Sequence, residues 1–187
     1  YKYENLLYSM DMTGAEIDAF LEYSYMKWYN QMADKNDHLI NFKKDADGKM
    51  IFNARYNSYD TVTRYYNYDS AAGIEYTVDV SKAPGDRVDI TTMSKDGAAF
   101  DMNKHYVVAI NSYRGNGGGG HLAAAGLTKE EFTTRVLSST LADLRFYLIK
   151  EFEKRGTVVP EVDNNWKAIP ELWVENGAEL DFPLFYK

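Results

Sequence analysis

Tyr106-Val107-Val108-Ala109-Ile110-Asn111-Ser112-Tyr113-Arg114-Gly115-Asn116-Gly117-Gly118-Gly119-Gly120-His121 is the stretch on which the fold of this chain turns. Five apolar residues in a row, 106–110, fit a short strand buried on both faces at the centre of a sheet. That strand delivers the chain into a glycine-laden loop over 111–125. Glycine loses the most conformational entropy on ordering, and it admits positive φ and close backbone approach, so four together after a core strand call for a reason. Backbone N–H groups in such a loop can cup an anion or the edge of a ligand. No Lys-Ser/Thr pair follows the glycines, which excludes a P-loop. With Asn111, Tyr113, Arg114 and Asn116 around Gly117, Gly118 and Gly119, this loop is the first candidate binding segment.

Working outward, Ile74, Tyr76, Val78 and Val80 alternate with Glu75, Thr77 and Asp79, the pattern of a strand with one apolar face. Just before it lies a second candidate, Tyr65-Tyr66-Asn67-Tyr68-Asp69-Ser70-Ala71-Ala72-Gly73, whose small residues at 70–73 let a flat group approach the backbone. Pro84-Gly85-Asp86 marks a turn, 88–93 a strand, and Lys95-Asp96-Gly97 another turn. Upstream, a strand over 6–12 precedes Thr13-Gly14-Ala15-Glu16, a capping box that opens a helix fading near Asn30. Ile17, Phe20, Leu21, Ser24 and Trp28 share one face of that helix. Residues 33–60 read as polar and irregular, with a turn at Asp45-Ala46-Asp47-Gly48. The resemblance of that turn to a calcium loop fails at the twelfth position, where Tyr56 stands in place of Glu. Downstream, Thr128 to Glu131 forms a second capping box before a helix carrying Phe132, Val136 and Leu137. A longer helix is expected over 141–155, with Leu141, Leu144, Leu148 and Phe152 on one face and Gly156 as its stop. The tail, with Trp166, Trp173 and two prolines, reads as extended. Helices and strands alternate irregularly, so the expectation is an α+β fold with a mixed sheet, one domain over 1–187.

Composition removes several functions. With 45% hydrophobic and 26% charged residues the chain has an ordinary globular mix. A net charge of −7 disfavours DNA or RNA as a partner. There is no cysteine, hence no disulfide, thiol nucleophile or Cys-based zinc site. No window approaches the ~20 apolar residues of a membrane span. His38, His105 and His121 are scattered, without the converging His and carboxylate ligands of a two-metal hydrolase, and each reads as a surface or loop residue. No G-x-S-x-G is present. Tyrosine is over-used, at 16 residues, which suits a wet binding surface as well as sheet faces. Tyr1 to Met10 reads as the interior of a fold, with no signal peptide, so a piece of a longer protein is expected.

In this order, the segments resemble the C-terminal domain of the 5′-nucleotidase family, and within it the branch of 2′,3′-cyclic-nucleotide 2′-phosphodiesterase/3′-nucleotidases. The resemblance is carried by Tyr1-Lys2-Tyr3-Glu4-Asn5-Leu6-Leu7, Met12-Thr13-Gly14-Ala15-Glu16-Ile17, Tyr68-Asp69-Ser70-Ala71-Ala72-Gly73-Ile74, Tyr76-Thr77-Val78-Asp79-Val80, Pro84-Gly85-Asp86-Arg87-Val88, and Asn111-Ser112-Tyr113-Arg114 with Gly117 to Gly120. It covers residues 1–125; the helices after 128 fit in general character only.

The resemblance implies a two-domain hydrolase. An N-terminal metallophosphatase domain of the same chain would hold two divalent metals, and this part would hold the base and ribose of a nucleotide or nucleoside. By position, the base would stack between Tyr68 and Tyr113. Asn111, Asn116 and the backbone of Gly117, Gly118 and Gly119 would shape the loop and offer polar contacts. Arg114 is either a substrate contact or a residue that positions the loop. Gly119 stands where the 5′-nucleotidase branch has an Asp that contacts ribose, which favours the cyclic-phosphodiesterase branch. No cofactor is expected within these residues, no hydrolysis by them alone, and a periplasmic or extracellular location. A carbohydrate-binding module built on exposed tyrosines is the alternative, and a purely structural domain a second one.

Overall fold

A computed structural model describes residues 3–185. Tyr1 and Lys2, which open the resemblance, lie outside the described residues. The elements run β1 (Leu7–Thr13), α1 (Gly14–Trp28), β2 (Phe52–Asn53), β3 (Ser58–Tyr59), β4 (Ile74–Asp79), β5 (Val88–Met93), β6 (His105–Asn111), α2 (Ser112–Gly115), α3 (His121–Ala124), α4 (Lys129–Thr134), β7 (Val136–Ser139), α5 (Leu144–Arg155), β8 (Trp166–Ile169) and α6 (Glu171–Phe185). The class is α+β. The chain divides into two compact units, and the division falls within α1.

The first unit holds residues 3–20 and 101–163. Its sheet has the order β6-β1-β7, all antiparallel. Met10 and Met12, on one face of β1, are buried with Leu122 and Leu127. The expected capping box is present: the Thr13 N–H donates to Glu16 at 2.7 Å and the Glu16 N–H to the Thr13 hydroxyl at 3.2 Å. Three expectations are corrected here. Residues 106–110 form an edge strand, not a buried central one; β1 takes the centre. Val107 is 70% exposed, because β6 pairs on one side only and shows alternate residues to solvent. A run of five apolar residues cannot by itself reveal that alternation. The second capping box forms at Thr128 and Glu131, but its helix ends at Thr134. Val136 and Leu137 instead enter β7, where pairing with β1 recruits the β-branched residue. The longer helix starts at Leu144, capped by Asp143, whose side chain accepts from the Phe146 N–H at 2.9 Å; Leu141 lies before it and is fully exposed.

The second unit holds residues 21–100 and 164–185. Its sheet is mixed, in the order β5-β4-β8, with β4 antiparallel to β5 and parallel to β8. Ile74, Tyr76, Val78 and Val80 are all buried, as the alternation requires. Strand β5 keeps its expected bounds. Residues 33–60 are a meander of turns, isolated bridges and the β2–β3 pair. The tail is extended only at β8. Residues 171–185 are helical, against expectation: Glu171 supplies an acidic first turn, and Pro183 falls in the last turn, so the bond its missing N–H removes lies at the helix end. This helix α6 docks closely: a Cβ on Gly177 would sit 2.9 Å from that of Leu39. Buried Asp181 accepts from the Ile40 N–H at 2.7 Å and pairs with His38 Nδ1 at 2.5 Å.

Candidate functional site

The two candidate segments fall in different units, and each has its own construction. In the first unit, the segment after β6 is not an irregular loop. It folds into α2, a 3-10 turn over Gly118–Gly120, and α3. Asn111 caps α2, its side-chain oxygen accepting from the Arg114 N–H at 2.9 Å. Ser112 ties the start of the segment to Leu6 through its N–H at 2.8 Å and its hydroxyl at 3.0 Å.

The glycines are required by packing as well as by φ. Gly117 has φ 85°, and a Cβ there would lie 2.3 Å from the Phe132 ring. A Cβ on Gly118 would lie 2.5 Å from the Tyr113 carbonyl and 2.6 Å from its ring; one on Gly115 would strike the Tyr8 ring at the same 2.6 Å. Gly119 and Gly120, at φ 77° and 84°, complete the turn. The N–H of Gly117 donates to Arg114, and that of Gly120 to Gly117. Asn116 is exposed and its amide reaches the Tyr8 hydroxyl at 3.5 Å.

Tyr113 is 48% exposed. Its ring lies beside Gly118, and the Arg114 guanidinium stands 5.2 Å from its centroid. Arg114 itself is only 3% exposed and donates to the Gly118 carbonyl at 3.1 Å. One guanidinium thus lies against both the ring and the glycine turn. His121 is also buried, against the surface placement expected of it, with its ring 4.8 Å from that of Phe20. His105 is exposed on β6 and bonded to Asp11.

In the second unit, a 3-10 turn over Tyr65–Asn67 leads into Tyr68. Tyr68 is half-buried in a group of rings: Tyr25 at 5.6 Å, Trp28 at 5.7 Å, Tyr29 at 6.2 Å and Trp166 at 6.5 Å between centroids. Its hydroxyl meets that of Tyr29 at 3.5 Å, and those of Tyr25 and Tyr76 meet at 2.8 Å. Burial pushes the phenols of Tyr25, Tyr29, Tyr68 and Tyr76 above their ordinary range, so all four stay neutral. The small-residue segment 69–73 is held from both ends. Ser24 and Asp69 exchange hydrogen bonds at 2.8 and 2.7 Å, and the Asn165 amide donates to Ala71 and Ile74 at 2.8 Å each. Gly73, with φ 88°, faces open space.

Sequence reasoning missed the residues that hold Tyr68. Tyr25, Trp28 and Tyr29 stand three and four residues apart on α1 and its end, a visible aromatic stripe. Trp166 gave no signal, because only the parallel pairing of β8 with β4 brings it there. Among the described residues there is no group of three or more His, Asp or Glu that fits a metal ion, and no helix is long and apolar enough to cross a membrane.

Fold and segment order together place the chain in a known family of C-terminal domains. It belongs to the family described as 5′-nucleotidase, C-terminal domain, which matches residues 1–126. It is 27% identical to the trifunctional nucleotide phosphoesterase YfkN of Bacillus subtilis, over 97% of this chain and 11% of that protein. It is 28% identical to a 2′,3′-cyclic-nucleotide 2′-phosphodiesterase/3′-nucleotidase of Salmonella typhimurium, over 97% of this chain and 26% of the relative. A Staphylococcus aureus protein assigned as a 5′-nucleotidase and solved with alpha-ketoglutarate shares the fold, with a TM-score of 0.61 at 22% identity over 90% of this chain and 28% of that one. The chain thus spans roughly a quarter or less of the relatives it matches.

Proposed function

We propose that this chain is the base-holding part of a metal-dependent hydrolase of nucleotide phosphoesters, of the 2′,3′-cyclic-nucleotide phosphodiesterase/3′-nucleotidase kind. The observation that carries the reading is Tyr113: a half-exposed ring, fixed by buried Arg114 and by a glycine turn with no room for side chains, in a member of a nucleotidase family. Tyr113 and Tyr68 contact the base. Stacking on such rings contributes about 1–3 kcal/mol per base and tolerates any base. Asn111 caps the turn, Arg114 positions it, and Asn116 with the backbone of Gly117 to Gly119 offers polar contacts. Gly119 leaves no carboxylate at the ribose, which supports the cyclic-nucleotide branch over 5′-nucleotidases.

The described residues offer no metal-binding donor set, so the reading assigns hydrolysis to another domain of the same polypeptide, where the two divalent metals belong. That polypeptide works in the periplasm or outside the cell. The test is isothermal titration calorimetry of the 187-residue chain with adenosine, alongside Tyr113→Ala and Tyr68→Ala. Each variant is expected to weaken binding by roughly 5- to 150-fold, the equivalent of about 1–3 kcal/mol, while the circular dichroism stays native. Undiminished binding in both variants contradicts the reading. Binding of glucose in preference to adenosine puts a carbohydrate module in its place.

A further inference from the structure

Residues 69–74 pose a problem of construction. Ser70, Ala72 and Gly73 are exposed, and 69–73 belong to no helix or strand. An exposed stretch of small residues is ordinarily among the loosest parts of a fold. Here its backbone groups are taken up one after another by side chains. The Asp69 N–H donates to the Ser24 hydroxyl, which donates back to the Asp69 carbonyl. The Ala71 N–H donates to the Tyr76 hydroxyl at 3.0 Å. The Asn165 amide donates to the Ala71 and Ile74 carbonyls at 2.8 Å each, so a single side chain ties together the two ends of 71–74. The Gly73 carbonyl accepts from the Ser94 N–H at 3.1 Å. The outer side stays clear: a Cβ on Gly73 would meet nothing within 4 Å. A fixed backbone with a clear outer side suits a binding segment, because ordering it beforehand removes that cost from association.

Asn165 has the chemistry for this task. A side-chain amide carries two N–H donors, and both carbonyls are met from that one nitrogen. The main-chain carbonyl of Asn165 accepts from the Tyr76 N–H at 3.1 Å, so side chain and backbone hold the same stretch. Asn164, just before it, has φ 52°, a left-handed conformation that Asn adopts more readily than most residues. Trp166 follows, parallel to the Tyr76 ring at 5.7 Å and 6.5 Å from that of Tyr68. Ser24 and Tyr76 stand within residues 1–126, which the family matches; Asn165 stands outside them. We propose that Asn165 is a positioning residue of the nucleoside site, contributed by the tail. Without touching the ligand, it fixes the backbone of 71–74 next to Tyr68, so that the base meets a surface already ordered. The proposal rests on the reading of Tyr68 as a base contact, and it adds what holds the segment that follows.

The experiment is calorimetric titration of the 187-residue chain with adenosine, well below the melting temperature of every variant. Asn165→Ala opens the two carbonyls to water, and Asn165→Asp keeps the shape but removes both N–H donors. Each is expected to weaken binding by roughly 5- to 10-fold, the ordering cost being returned to association. Should Asn165→Asp lose its native circular dichroism, Asn165→Ala alone decides. Phe42→Leu is the control for stability, a core change in the same unit at a ring packed on those of His38 and Phe185. It is expected to lower the melting temperature and leave the affinity as it was. In amide NMR spectra at saturating adenosine, Asn165→Ala is expected to lose the shifts at 70–73 and keep those at 111–121, a selectivity that loss of stability alone does not produce. Unaltered affinity in Asn165→Ala, or equal weakening by Phe42→Leu, overturns the proposal and leaves the reading of Tyr68 in place. No binding of adenosine by the unsubstituted chain removes both.

Discussion

The segment after β6 and the segment before β4 each present a tyrosine, and they fix it by opposite means. Around Tyr113 the work is done by backbone and by missing side chains. Gly117, Gly118 and Gly115 leave no space for a Cβ, and one buried guanidinium spans ring and turn. Around Tyr68 the work is done by bulk: four rings and a set of neutral hydroxyls surround it. The first design is a turn with nothing to spare; the second is a corner of a core. The contrast teaches that two half-open rings need not share a fragility. The first fails when atoms are added, the second when atoms are removed.

Substitutions that add or delete atoms break this comparison most directly. Tyr25 is fully buried and touches Tyr29, Tyr68, Tyr76 and Trp166. Tyr25→Ala is therefore expected to cost about 3–5 kcal/mol in urea unfolding, the usual cost of emptying an aromatic core site. Gly117→Ala is expected to cost about 3 kcal/mol, from a left-handed φ together with a clash at Phe132. The two cost similar energies for opposite reasons. A further substitution, Phe132→Leu, separates them: by making room, it relieves part of the Gly117→Ala cost and none of the Tyr25→Ala cost.

Smaller effects sharpen the contrast. Arg114→Lys keeps the charge but loses the planar fork. It is expected to weaken adenosine binding by roughly 5-fold, about 1 kcal/mol, by calorimetry, with near-native stability. Alkaline pH is expected to act on the aromatic corner. Its four phenols ionise only above the ordinary value when folded, whereas in the unfolded chain they ionise near pH 10. The stability they contribute is thus complete below about pH 10 and is lost as the pH rises beyond it. Thermal melts at pH 8 and pH 10.5 measure this; an unchanged melting temperature would mean that the cluster is open to solvent.

Local signals were legible in the sequence, and long-range ones were not. Both capping boxes, the alternation of β4 and the bounds of β5 follow from neighbours within a few residues. The exposure of Val107, the pairing of Val136 with β1 and the arrival of Trp166 at β4 depend on partners remote in sequence. For the candidate site, the glycine run announced a special backbone. It did not announce that the glycines answer to Phe132, Tyr8 and the Tyr113 ring, nor that Arg114 lies beneath them. The aromatic support of Tyr68 was half visible, in Tyr25, Trp28 and Tyr29, and half hidden in the tail.

The central claim is that Tyr113 and Tyr68 meet a nucleobase. An amide NMR titration of the 187-residue chain with adenosine, 3′-AMP and glucose, carried to millimolar ligand, tests it most directly. The account predicts shifts clustered at 68–73 and 111–121 with adenosine and 3′-AMP and none with glucose. Shifts with glucose alone, or no shift in either segment, would contradict it.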